Sequence, residues 1–142
     1  MTAVNLNRAV RGPVTAVPIV AGKGVRLVSD TQNNRWVAEL DITWEDVTSQ
    51  ITKGSVVASG GWSFYYNAAL KLIAIIGEAQ VTSSGAVYTL PQKYRPIRYF
   101  TVSTPTGTMF IDYNTTTGVF TSRSGTNGYF SLYATIPCVG ET

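Results

Sequence analysis

Four runs near the C-terminus set the architecture: RYFTVST (98–104), TMFIDYN (108–114), GVFTSR (118–123) and GYFSLYATIP (128–137). Each is short and rich in β-branched and aromatic residues, the composition of a strand. Between them stand turn sequences: Thr104-Pro105-Thr106-Gly107, Asn114-Thr115-Thr116-Thr117-Gly118 and Ser124-Gly125-Thr126-Asn127-Gly128. Glycine, proline and asparagine at these points end one strand and start the next. The same pattern extends upstream through WSFYYN (62–67), LKLIAIIGEAQV (70–81) and AVYTL (86–90), with Thr82-Ser83-Ser84-Gly85 as a further turn. LKLIAIIGEA alone is ambiguous with a buried helix, but alternation through Leu70, Leu72, Ala74 and Ile76 with β-branched neighbours favours a strand. Seven strands at this spacing predict an all-β fold, a small sandwich or jelly roll over 62–142.

That unit is small to stand alone. Phe64-Tyr65-Tyr66, Ile73-Ala74-Ile75-Ile76, Tyr99-Phe100 and Tyr129-Phe130 cannot all face one core, because neighbours in a strand point to opposite faces. Apolar residues on a second face call for cover by another subunit. The expectation is an oligomer, a trimer before a dimer.

Residues 1–50 read differently. They hold five of the eight acids, Asp30, Glu39, Asp41, Glu45 and Asp46. The opening VNLNRAVRGPVTAVPIVAGKG carries Pro13 and Pro18, which exclude a continuous helix and make a central strand unfavourable. An extended arm fits, lying along some other surface. VRLVSD and RWVAELDITWED then alternate around an Asp-Thr-Gln-Asn-Asn turn and form a β-hairpin. A lone hairpin is marginal in water, so one with Trp36 and Trp44 to bury needs a host surface. Arg8, Arg11, Pro13, Pro18 and Trp36 are the candidate attachment residues. Residues 51–61, small and polar and ending in Gly60-Gly61, read as a linker.

Composition removes several chemistries. Among 142 residues there is no histidine and one cysteine. Histidine-based acid–base catalysis, His-containing triads and metal sites, intrachain disulfides and thiolate clusters are therefore excluded. Cys138 reads as a buried thiol, with an intermolecular disulfide as the alternative. Charged residues make up 13%, against about 25% in ordinary domains. The replacement is Thr, Ser, Gly, Asn and Tyr, a surface suited to close subunit contact. The 11 basic residues give a net charge of +3 but are scattered, which argues against a nucleic-acid partner. No apolar run has the length of a membrane span and the N-terminus lacks the apolar core of a signal peptide, so a soluble chain made in a cytoplasm is expected, without membrane insertion.

Catalytic candidates are few. Glu78 and Asp112 are the sole carboxylate pair available to a glycosidase mechanism, and each reads more simply as a solvent-facing strand residue. Glu45-Asp46 offers too few oxygens for calcium. No cofactor, metal site or enzymatic activity is expected. Aromatic and amide groups near turns are better ligand candidates: Trp62, Tyr65, Tyr113, Asn114, Asn127 and Tyr129. Of these, Trp62, Tyr65 and Tyr129 also read as core or subunit contacts. Tyr113 and Asn114 adjoin a threonine turn, where binding residues commonly sit. Tyr113, Asn114, Asn127 and Trp62 form the candidate ligand set. Arg95 and Arg98 suit acidic glycans or phosphate, or an ion pair with a neighbouring subunit.

Two stretches carry a resemblance. Leu90, Pro91, Tyr94, Arg95 and Pro96, followed by Gly118-Val119-Phe120, resemble the knob domains of tailed-bacteriophage fibre and receptor-binding proteins. AGKGVRLVSDTQNNRWVAELD is similar to the opening hairpin of phage head-fibre-like proteins. The resemblance implies a homotrimer, an N-terminus bound to a capsid or tail protein of the virion, and an outward β-sandwich knob; host adhesion is the expected role, with a bacterial surface glycan as a candidate partner. With no collagen-like or coiled-coil shaft between the two parts, a short head fibre or decoration spike is expected. Alternatives are a tail-fibre or baseplate receptor-binding protein, and a stand-alone lectin-like module.

Overall fold

The computed structural model describes residues 25–40, 42–123 and 125–141. The chain divides into two compact units, Met1–Thr43 and Trp44–Thr142.

In the first unit, β1 (Val25–Asp30) and β2 (Arg35–Leu40) pair as the expected antiparallel hairpin, with Val25 opposite Leu40 and Asp30 opposite Arg35. Asp30 organises the turn. Its carboxylate accepts from the Asn33 backbone N–H at 3.2 Å, the Asn33 amide at 2.9 Å and Arg35 Nε at 2.8 Å. Arg26 and Glu39, also cross-strand partners, form an ion pair at 3.0 Å. The pair has no third strand among the described residues. Trp36 is half-buried on it.

The second unit is a sandwich of two antiparallel sheets. Its strands are β3 (Glu45–Asp46), β4 (Thr52–Lys53), β5 (Val57–Asn67), β6 (Leu72–Val81), β7 (Gly85–Thr89), β8 (Thr101–Ser103), β9 (Phe110–Asn114), β10 (Val119–Ser122) and β11 (Gly128–Pro137). One sheet has the order β11-β6-β5-β3, the other β4-β7-β10-β9-β8. Alternation along each strand supplies the core between them. Trp62, Phe64, Ile73, Ile75 and Phe130 come from the four-stranded sheet, and Tyr88, Val102, Ile111, Tyr113 and Phe120 from the five-stranded one. Aromatic rings join the layers: Trp62 stacks on Tyr88 at 5.2 Å and meets Phe120 edge-on at 5.3 Å.

The segment read as a linker is part of this unit. Val47 and Ile51 are buried in the core, Thr52–Lys53 pairs with β7, and β5 starts at Val57. The boundary thus lies between Thr43 and Trp44, and Trp44 goes with the sandwich, where it is exposed. The residues of 51–61 are small, as in a tether, yet the Ile51 side chain and the backbone of β5 are what the fold uses.

The LPQKYRP segment crosses one end of the sandwich and is pinned throughout. The Leu90 N–H donates to the Gly118 carbonyl at 2.9 Å. The Arg95 guanidinium donates to the carbonyls of Leu90 at 3.0 Å and Thr116 at 2.8 Å. The Tyr94 hydroxyl donates to Gln50 Oε1 at 2.7 Å, and Pro96 bridges Cys138. Cys138 is buried there, and burial pushes its thiol pKa up.

Candidate functional site

The outer face of the four-stranded sheet is formed by the side chains that alternate away from the core. Tyr129, Ser131, Tyr133 and Thr135 point outward from β11, with Ala74, Ile76, Glu78 and Gln80 on β6 and Ser59, Ser63 and Tyr65 on β5. Tyr133 lies directly opposite Ile76, and Ile76 opposite Ser63. Side chains so paired touch across the strands. Tyr133 is 73% exposed, Tyr129 53% and Ile76 41%. Phe130 beside Tyr129 and Ile75 beside Ile76 are completely buried, so these runs apolar on both faces do divide between core and surface. Glu78 is the one acid in these rows of β5, β6 and β11, and it accepts from Ser131 Oγ at 2.9 Å. Over β5, β6 and β11 the face is aromatic and carries little charge; at the β3 edge Asp46, in register with Tyr65, adds a second carboxylate.

The five-stranded sheet presents a different outer face. Asp112 accepts two hydrogen bonds from Arg123, at 2.6 and 2.8 Å, one from Thr101 Oγ1 at 2.9 Å and one from the Tyr99 hydroxyl at 3.3 Å. The Arg123 guanidinium also lies over the Phe110 ring at 4.7 Å. Hydrogen bonding from Arg123 holds the Asp112 carboxyl at a pKa of about 2. Asp112 is therefore a fixed carboxylate in a bonded cluster. Glu78 is on the outer face of the other sheet, with the core between them. The two carboxylates do not flank a common site, and the glycosidase arrangement fails on geometry.

The predicted ligand residues scatter. Tyr113 is buried, not exposed: it shares the inward face of β9 with Ile111, and its hydroxyl donates to the Pro96 carbonyl at 3.0 Å. Burial pushes its pKa up to about 12. Trp62 is likewise a core residue, 2% exposed, its indole N–H donating to the Phe130 carbonyl at 3.0 Å. Asn114 is exposed, but its side-chain oxygen accepts from the backbone N–H groups of Thr116 and Thr117, closing the turn. Asn127 is exposed at the opposite end of β9, its N–H directed at Met109 Sδ. These four residues form no common site. Arg95 is spent on backbone carbonyls, whereas Arg98 is exposed. Arg8, Arg11, Pro13 and Pro18 lie outside the described residues.

Sequence reading missed a cleft of about 310 Å³ beside β5, lined by Thr48, Lys53, Gly60, Gly61, Trp62 and Tyr88 among others. The Gly60-Gly61 pair was its one visible signal, and the same pair reads equally as the end of a linker.

No protein-family model, curated protein or solved structure matches the chain.

Proposed function

We propose that this chain is a structural protein of a phage virion, a short homotrimeric head fibre or decoration spike whose sandwich is the adhesive knob. The outer face of the four-stranded sheet carries the reading. Exposed Tyr129, Tyr133 and Ile76, with Glu78 and, at the β3 edge, Asp46 as the acids among hydroxyl and amide groups, have the character of a subunit interface more than of a solvated surface. The separate two-stranded hairpin, with Trp36 half-covered and no third strand among the described residues, suits a module that completes itself against a capsid or tail protein. The sequence resemblance to phage fibre proteins supports both halves. Adhesion then works by number, since three linked knobs raise the effective concentration for each further contact.

Immunogold labelling of intact phage particles with an antibody to the chain tests the assignment. Regular labelling at one site on the particle is expected. Purified particles free of label, in a lysate that contains the chain, would contradict it.

A further inference from the structure

The cleft beside β5 has a chemical bias that its lining residues make explicit. Away from β6, β5 has a strand partner only at Tyr65 and Tyr66, so its edge is open at Gly60, Gly61 and Trp62 among the described residues. An open edge presents backbone N–H and C=O groups outward. One of these is capped from the opposite sheet: the Trp62 N–H donates to the Tyr88 hydroxyl at 2.9 Å.

The Tyr88 hydroxyl accepts that bond with its oxygen, and its own proton has no acceptor among the described residues. Tyr88 is 3% exposed and lines the cleft, so its hydroxyl keeps a donor to offer there. A Cβ on Gly61 would stand 3.1 Å from this oxygen, so the missing side chain keeps the approach to it clear. Burial also raises the phenol's pKa, which keeps the proton in place to be donated.

Lys53 stands in register with Tyr88 across β4 and β7. It has no ion-pair partner among the described residues, and no aspartate or glutamate lines the cleft. Ser63 adds a hydroxyl-bearing wall, while the Thr48 hydroxyl is held by the Phe64 backbone. The charge and the buried donor both ask for a ligand with acceptor oxygens and negative charge, while the strand edge and hydroxyls suit a ligand that carries hydroxyls. The volume, at the lower end of ligand pockets, admits a single small unit rather than an added strand.

We propose that this cleft binds a small hydroxylated anion, a carboxylate or phosphate carried on a sugar or polyol. The anion sits against Lys53 and the hydroxyls bond to Tyr88 and the edge of β5. That such a unit belongs to a host surface rests on the adhesion reading above; the site itself does not.

The test uses the full-length chain labelled with ¹⁵N, titrated with glucuronate, glycerol 3-phosphate and uncharged methyl glucoside. The amide signals of Gly60 and Gly61 are expected to shift saturably with at least one of the two anions. A response to glucuronate alone identifies a sugar acid, and a response to glycerol 3-phosphate alone a phosphorylated polyol. Lys53→Met, at an exposed position, is expected to keep the spectrum's dispersion and weaken anion binding about tenfold or more. No saturable shift at these glycines with either anion would overturn the proposal, as would binding equal for methyl glucoside or unchanged by Lys53→Met. Light scattering on the same samples separates the two readings. A trimer that binds neither anion retains the assembly and loses the site; a single chain that binds does the reverse.

Discussion

Arg95 crosses so close to Gly118 that a Cβ on the glycine would stand 2.4 Å from its Nε and 2.7 Å from the Leu90 carbonyl oxygen. Gly118 has φ +71°, a left-handed conformation that side chains resist. This crossing holds the Leu90–Pro96 segment to the β9–β10 turn, and explains in physical terms why an Arg-Pro pair and a distant glycine belong together.

Gly118→Ala is therefore expected to destabilise by about 3 kcal/mol or more, combining left-handed strain with the clash. Gly107 is the control. It has φ +68° but open space around it, so Gly107→Ala carries only the strain, about 1 kcal/mol. Urea unfolding of the two variants checks the difference. Equal losses would show that both Arg95 and the Leu90 carbonyl give way freely.

Tyr113 links the core to high pH. Its folded pKa, about 12, lies above the ordinary 10.0 because burial disfavours the phenolate. The unfolded chain therefore loses this proton first, so the stabilisation is complete below pH 10 and disappears as pH rises from there to about 12. Unfolding midpoints measured across that range should fall, and fall less steeply in Tyr113→Phe. The variant should also lose about 1 kcal/mol at neutral pH, the cost of leaving the Pro96 carbonyl without its donor.

Asp112 acts at the opposite end of the scale. Its folded pKa of about 2 lies below the ordinary 3.8, first because Arg123 hydrogen-bonds the carboxylate. The contribution is present above pH 3.8 and is lost as pH falls from there towards 2. Carboxyl ¹³C titration should show Arg123→Met raising the Asp112 pKa towards 3.8, with a loss of neutral stability that solvent screening of this partly exposed pair keeps small. An unchanged titration would mean that Thr101 and Tyr99 alone hold the charge.

Most of the sandwich was legible because alternation and turn residues agree. GYFSLYATIP (128–137) is β11 to the residue, and the hairpin at 25–40 has the expected strands. Two features were hidden for different reasons. Small residues from 51 to 61 resemble a tether, and nothing local reveals that Gly61 clears the approach to Tyr88, whose place is fixed by the opposite sheet. Tyr113 borders a polar turn, but strand parity with Ile111 turns it inward, and its hydrogen-bond partner Pro96 comes from a segment that only the fold brings near. Nearness to a turn does not register the direction of a side chain. The outer aromatic face was anticipated as a surplus of apolar residues, without the register that sets Tyr133 against Ile76.

The central claim is that this face is covered by further copies of the chain. The most direct measurement is absolute mass by light scattering coupled to size exclusion, on the full-length protein and on Ile76→Glu. The outward position of Ile76 allows glutamate without entering the core, while burying that charge in an interface would be costly. A trimer of three times 15.3 kDa is expected for the parent chain and a well-folded single chain for the variant. A parent mass of 15.3 kDa would contradict it and return the protein to a stand-alone binding module.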